Sequence, residues 1–225
     1  MIKLVAFDWN GTLLADAKAS HDVTNIIFSS YGFKNFSFRH YQNTFDIPIV
    51  DFYTANGFKR KEFIKNAEII QELFVNNYEP LADRCRTRSG TREVLRELKK
   101  RKIQPIIFSN HIRKNIERQL RRLKVDGHLV KVLAREEKDN SHLHSRNKEV
   151  MLCQYVKEHK LKPKEVMTVG DTPEETEIGK KHGFITAAIT GGYSTVARLK
   201  KHNPDFLIHN LQELVGIIKK LNKEK

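Results

Sequence analysis

The sequence predicts an α/β fold: a doubly wound parallel sheet interrupted by an all-helical insert. Three observations carry that expectation. Ile2, Leu4, Val5, Ala6 and Phe7 form a near-continuous apolar run that ends at Asp8 and is closed by Gly11, the pattern of a strand buried on both faces. Helices covering a parallel sheet produce such runs. Later short apolar runs alternate with helical periodicity, which builds βαβ units, whereas residues 17–82 carry helical patterning alone.

Within the insert, Ser20 or His21 opens a run through Val23, Ile26, Ile27 and Phe28, and Gly32 suits the position just past its end. A short helix over Arg39 to Thr44 follows, then Pro48 in the first turn of another through Tyr53. Lys59 to Asn77 reads as a long amphipathic helix with Phe63, Ile64, Ile69, Ile70, Leu73 and Phe74 on its apolar side, stopped by Pro80.

The remaining elements follow in alternation. Thr91 is an acceptable N-cap for a helix over Arg92 to Lys102. Ile103 to Phe108 is a second buried strand, with Ser109 and Asn110 at its end and a helix from Ile112 to Leu123. His128 to Leu133 is a third strand, and Ala134 to Arg146 a polar loop holding His142 and His144. Lys148 opens the next helix; Val166 to Val169 is a fourth strand, Phe184 to Ile189 a fifth and Phe206 to Ile208 a short last one. No G-x-G-x-x-G follows the first strand, which argues against a dinucleotide site.

Asp8 is the first candidate for chemistry. A carboxylate at the end of a buried strand is costly unless a cation, donors or solvent compensate it, and the C-terminal edge of an open α/β sheet is where ligands bind. The plain alternative is an Asx-turn with Gly11 in a left-handed conformation. Ser109 and Asn110 precede a helix, where a hydroxyl and free N–H groups bind phosphate, or where the side chain merely caps. Asp171, Glu174, Glu175 and Glu177 cluster around the start of another helix. Oxygen ligands suit Mg2+; favourable acidic residues in a first turn are the bland account, and that account suits Glu174 and Glu177 better than Asp171.

Asp8-Trp9-Asn10-Gly11-Thr12 resembles the first motif, D-x-D-G-T, of the haloacid dehalogenase (HAD) superfamily. Ile106 to Asn110 resembles the second motif, Lys148 stands where the third-motif Lys would, and Val169-Gly170-Asp171-Thr172-Pro173-Glu174-Glu175 looks like the fourth. The resemblance covers nearly the whole chain. It implies a Rossmann-like catalytic core of residues 1–16 and 83–225 and a helical cap domain of residues 17–82, similar to phosphoglycolate phosphatase-like members. It further implies a Mg2+-dependent phosphatase acting on a small phosphorylated metabolite. Asp8 would attack phosphorus; Asp8, Asp171 and the backbone carbonyl of Asn10 would hold Mg2+, with Glu175 acting through water; Ser109, Asn110 and Lys148 would bind the phosphoryl oxygens.

One departure matters: Asn10 replaces the second Asp, which in typical family phosphatases protonates the leaving group and activates water. An Asn amide can do neither, though it can donate a hydrogen bond to the leaving oxygen. The alternatives are therefore a dehalogenase- or phosphonatase-type enzyme, or a catalytically weak protein that binds phosphorylated ligands.

The chain has 225 residues, 39% hydrophobic and 30% charged, ordinary for a globular protein. No apolar run approaches the ~20 residues of a membrane span, and residues 1–7 are too short for a signal peptide, so cytoplasmic residence is expected. Cys85 and Cys153 make no disulfide framework. The net charge of +14 favours anionic partners. Its clusters, Lys99 to Lys102 and Arg118 to Lys124, are not interleaved with aromatics, which speaks against nucleic acid.

Overall fold

The structure is a computed structural model and describes residues 1–136, 141–144 and 147–223. Six strands form one sheet: β1 (Leu4–Phe7), β2 (Gln104–Ile112), β3 (Lys131–Arg135), β4 (Val166–Gly170), β5 (Ile185–Ile189) and β6 (Phe206–Ile208). Their order is β3-β2-β1-β4-β5-β6 and every pairing is parallel. The strand order reverses beside β1, which lies between β2 and β4 with Phe7 paired to Ile107 and Val169. Such a reversal opens a crevice at the carboxyl ends of the strands.

The four residues of β1 are fully buried and divide by alternation between two cores. Val5 and Phe7 pack with α5 (Thr91–Lys100), α6 (Arg113–Leu123) and α10 (Glu213–Leu221) through Leu95, Ile116 and Leu214. Leu4 and Ala6 pack on the other face with α7 (Lys148–Glu158) and α8 (Pro173–His182) through Leu152 and Ile178. Two covered faces explain the continuous apolar run, and each fully buried large side chain contributes about 1.5–3 kcal/mol.

Between β1 and α5 the chain forms α1 (Ala17–Ser30), α2 (Phe38–Thr44), α3 (Ile49–Ala55) and α4 (Arg60–Ala82). Their apolar residues make a cluster of their own, rich in rings, around Phe28, Tyr41, Phe52, Tyr53 and Phe63; Leu143 and Tyr193 join it from outside the insert. The Phe28 ring lies 5.1 Å from those of Phe36, Tyr53 and Phe58.

Several boundaries differ from the expectation. α1 begins at Ala17, not near Ser20, because Asp16 ends the preceding turn and Ala17-Lys18-Ala19 are strong helix formers. Gly32 does stand past its end with a positive φ of 81°, and Phe33 N–H reaches back to Phe28. Pro48 is the N-cap of α3 rather than a first-turn residue. α4 runs through Pro80 to Ala82, since a proline so near a helix end forfeits a single backbone donor. Gly90, not Thr91, caps α5, in a left-handed conformation with φ of 82°.

β2 continues past Phe108 to Ile112, with a register irregularity between Ser109 and Ile112, so Ser109 and Asn110 belong to the strand end and not to the cap of α6. The third strand is Lys131–Arg135, preceded by a 3-10 turn at Asp126–His128. As the edge strand its extent follows hydrogen bonding to β2, not the apolar run Leu129-Val130. The expected polar loop therefore starts later than Ala134; residues 137–140, 145 and 146 of it lie outside the described residues. A 3-10 turn at Pro163–Glu165 leads into β4.

Candidate active site

The carboxyl ends of β1, β2 and β4 bring Asp8, Ser109 and Asp171 to one edge of the sheet. Asp8 immediately follows β1, and its backbone N–H donates to Val169. Lys148, the first residue of α7, is 2% exposed. Its ammonium contacts Asp8 Oδ1 at 3.2 Å and Glu174 Oε2 at 3.1 Å, and makes a very short contact with Glu175 Oε1. The sequence-predicted Asp8, Asn10, Ser109, Asn110, Lys148 and Glu175 all line one cavity under the helical insert.

Asp171 is fully buried behind that wall. Thr12 Oγ1 donates to its Oδ1 at 2.6 Å, and Tyr193 N–H to its Oδ2 at 2.6 Å. Gly11 and Gly192 make room for it: a Cβ on either would collide with the carboxylate, and Gly11 also has φ of 73°. The Gly191-Gly192 pair thus packs a turn onto Asp171. Glu175 closes a capping box on α8, its Oε2 accepting from Thr172 N–H at 3.1 Å and Thr172 Oγ1 at 2.7 Å.

Burial and neighbouring carboxylates set the electrostatics. Burial lifts the Asp8 carboxyl well above its ordinary range; Lys148 opposes that rise, and Glu175 and Asp171 add to it. Burial and Glu175 lift Asp171 to about 7, against the donors Thr12 and Tyr193 and the charge of Arg88. Burial alone would lower the Lys148 ammonium, but Asp8, Glu174 and Glu175 outweigh it and hold Lys148 well up, firmly charged. Asp8, Asp171, Glu174 and Glu175 together exceed the single positive charge of Lys148. A buried excess of hard oxygen donors is the environment a Mg2+ ion fits.

Ser109 is buried, and its Oγ accepts from the N–H of His111 at 3.2 Å. Asn110 Nδ2 donates to Glu174 Oε2 at 2.9 Å, and its carbonyl accepts from Arg135 Nε at 2.7 Å. Glu174, expected as a plain first-turn acid, is in fact 3% exposed and part of the site. Glu177 is not: it pairs with His202 at 3.0 Å on the outer side of α8. His142 meets Gln71 at 3.2 Å, while His144 is exposed. Elsewhere Glu149, Cys153 and His182 converge between α7 and α8, but Glu149 is already engaged by Lys181 at 2.7 Å and His182 at 2.6 Å.

The profile of the haloacid dehalogenase-like hydrolases matches residues 5–189. The chain belongs to this family. Pyrophosphatase PpaX of Bacillus cereus is 23% identical over 224 residues, covering 99% of both chains. Among solved structures, a predicted phosphatase from Clostridium acetobutylicum superposes with a TM-score of 0.82 at 14% identity, over 98% of this chain and 99% of that one. A predicted phosphoglycolate phosphatase from Haemophilus somnus gives 0.74 at 17% identity, over 96% and 98%. The fold of this HAD hydrolase is thus the Rossmann-like α/β fold of its structural neighbours.

Three residues of the site escape the motif pattern. Asp16, fully buried at the start of α1, accepts from Gly11 N–H at 2.6 Å and Asn10 Nδ2 at 2.8 Å. Tyr78 of α4 and Tyr193 donate to the same carboxylate at 2.5 and 2.8 Å. Burial first, and the Asp16 charge second, raise both phenols well above their ordinary value, so they remain O–H donors. Asn10 Nδ2 also donates to Tyr78 Oη at 2.7 Å. Both amide hydrogens therefore have acceptors within the protein. Asp16 carried a sequence signal, an acid immediately before a helix in the motif turn; Tyr78 and Tyr193 are far apart in sequence and carried none.

Proposed function

We propose that this HAD hydrolase is a Mg2+-dependent phosphatase that hydrolyses a small phosphorylated metabolite through an aspartyl-phosphate on Asp8. The observation that carries the reading is the pairing of Asp8 with Lys148, 3.2 Å apart in a buried acidic pocket at the sheet edge. A nucleophilic carboxylate and a fixed ammonium are what phosphoryl transfer asks of a protein, which mainly positions groups and neutralises oxygens. The names of the relatives, a pyrophosphatase and a predicted phosphoglycolate phosphatase, support phosphoryl substrates. The helical insert acts in this reading as the cap domain, residues 17–82, over a core of residues 1–16 and 83–225.

Asp8 and Asp171, with the backbone carbonyl of Asn10 and with Glu175 through water, would hold Mg2+. When bound, the ion keeps these carboxyls ionised and offsets phosphoryl charge. The Asp8 carboxylate oxygen forms a bond to phosphorus while the ester oxygen leaves with its electron pair, splitting one hard step into two. Lys148, Ser109 and the backbone N–H of Asn110 hold the other phosphoryl oxygens. Water then cleaves the acyl phosphate. Asn10 has only the lone pairs of Oδ1 left to offer that water, so this second step limits turnover.

The same commitment of the Asn10 amide favours a second reading, a protein that binds phosphorylated ligands and turns them over weakly. Release of phosphate from p-nitrophenyl phosphate with and without Mg2+, and acid-stable labelling of Asp8, separate the two. Halide release without metal would instead favour a dehalogenase.

A further inference from the structure

The cavity that runs from Asp8 into the helical insert changes character along its length. Its inner end is lined by Asp8, Asn10, Ser109 and Lys148. Its outer walls are Phe45, Ile47, Phe52, Tyr53, Ile70 and Phe74. Rings join the walls to the rest of the site: Phe45 lies 4.7 Å from Tyr193, and Phe74 stacks on Tyr78 at 5.1 Å.

The polar groups among these walls are engaged with one another. Ser20 Oγ pairs with Tyr41 Oη at 2.9 Å, Thr24 donates to the Ser20 carbonyl at 2.8 Å, and Gln71 meets His142 at 3.2 Å. His111 faces Glu79 at 3.1 Å. The chain carries 41 Lys and Arg residues, yet every one between residues 17 and 82 is exposed and none lines the cavity. Among the described residues the cavity's only Lys and Arg are Lys148, held by three carboxylates, and Arg135, which donates to the Asn110 carbonyl.

We infer, resting on the phosphatase reading, that the substrate is a phosphate monoester whose leaving group is uncharged and apolar or aromatic, seated among Phe45, Phe52 and Phe74. An anionic leaving group, such as the carboxylate of a phosphorylated hydroxy acid or a second phosphate, would meet here, among the described residues, no Lys or Arg beyond the engaged Lys148 and Arg135. An unpaired buried charge costs far more than a neutral group. An apolar group instead gains from every methylene it buries, and a ring gains ring-on-ring contact.

The test separates the leaving group from the chemistry. Two non-hydrolysable ligands of matched chain length, 3-phenylpropylphosphonate and 4-phosphonobutanoate, are titrated calorimetrically into the wild-type protein with Mg2+. The corresponding monoesters, whose alkoxide leaving groups are of similar reactivity, are compared by kcat/KM. The phenyl ligand should bind at least tenfold more tightly and its ester should show the same preference. Phe74→Arg, on a half-buried wall position, should reverse the order by giving the carboxylate a partner. Equal or tighter binding of the carboxylated ligand, or no saturable binding of either, overturns the inference. Lack of hydrolysis of both esters would count against the phosphatase reading alone, and the calorimetric order still decides this inference.

Discussion

The amide of Asn10 and the carboxylate of Asp16 are joined at 2.8 Å, Nδ2 to Oδ2, across the turn that follows β1. This contact fixes which way the amide faces. The reverse assignment would set an amide oxygen against a carboxylate oxygen, so the acceptor-only carboxylate selects the donor end of Asn10. Tyr78 brings the insert into the same network and Tyr193 brings the loop that holds Asp171. One buried charge thus links the first motif, the helical insert and the proposed metal site.

Asp8→Asn should abolish phosphatase activity and leave the fold intact, since an amide cannot attack phosphorus. The loss should exceed the roughly 10²–10⁴-fold of a general acid–base residue. Circular dichroism checks the fold and phosphate release the activity. Retention of a tenth of wild-type turnover in a clean preparation would sink the covalent mechanism.

Removal of divalent metal should stop turnover, and Mg2+ should restore it, because Asp8, Glu174 and Glu175 already crowd the place a phosphate must enter, with Asp171 buried behind them. Asp171→Ala should raise the Mg2+ concentration needed for half-maximal rate or remove activity. Full rate in excess chelator would exclude this cation site.

How much of this was legible in the sequence follows from the range of the forces involved. β1 was readable because both of its faces are covered, which leaves four apolar residues in a row. Asp8, Asp171, Glu175 and Lys148 were readable from motif register. The end of β2 was not: its bulge between Ser109 and Ile112 answers to pairing with β3, a partner more than twenty residues away. Pro80 misled because a proline so near a helix end forfeits one backbone donor without stopping the helix, which runs on to Ala82. The Asp16 network could not be foreseen, since it needs Tyr78 and Tyr193 brought together by folding.

Metal-free protein should become more stable as pH falls from 7.5 toward 5.5. Asp171 is raised to about 7 in the folded state, against about 3.9 unfolded. Between those values the folded protein binds more protons, so stability declines with rising pH. Asp22, Glu79 and Glu149 have lowered values; their stabilisation is lost only as pH falls below their ordinary range, outside this window. The melting temperature in chelator, compared with that of Asp171→Asn, isolates the effect. The wild type should lose ground to the variant as pH rises, and Mg2+ should stabilise most at the alkaline end. Parallel curves would contradict the raised carboxyl.

Asn10→Asp tests whether Asp16 is the reason this turn carries an amide. The sequence alone predicts a faster enzyme, because the family's usual acid–base group is restored. The structure predicts a conflict, because the new carboxylate would lie where an amide now sits 2.8 Å from Asp16. At that separation two full charges repel by about 6 kcal/mol at an effective dielectric constant of 20, an upper figure that protonation of one partner relieves. The single variant should therefore melt at a lower temperature than wild type at pH 8, recover most of the difference at pH 5.5, and gain little rate. Exchanging both residues, Asn10→Asp with Asp16→Asn, keeps one charge and one amide in contact. That double variant should regain stability and hydrolyse the aspartyl-phosphate faster by up to roughly 10²–10⁴-fold. Rapid-quench kinetics with p-nitrophenyl phosphate read the step directly: a burst in the wild type that shrinks in the double variant is expected. If Asn10→Asp alone is as stable as wild type at pH 8 and already faster, Asp16 does not dictate the amide, and the constraint on this turn lies elsewhere.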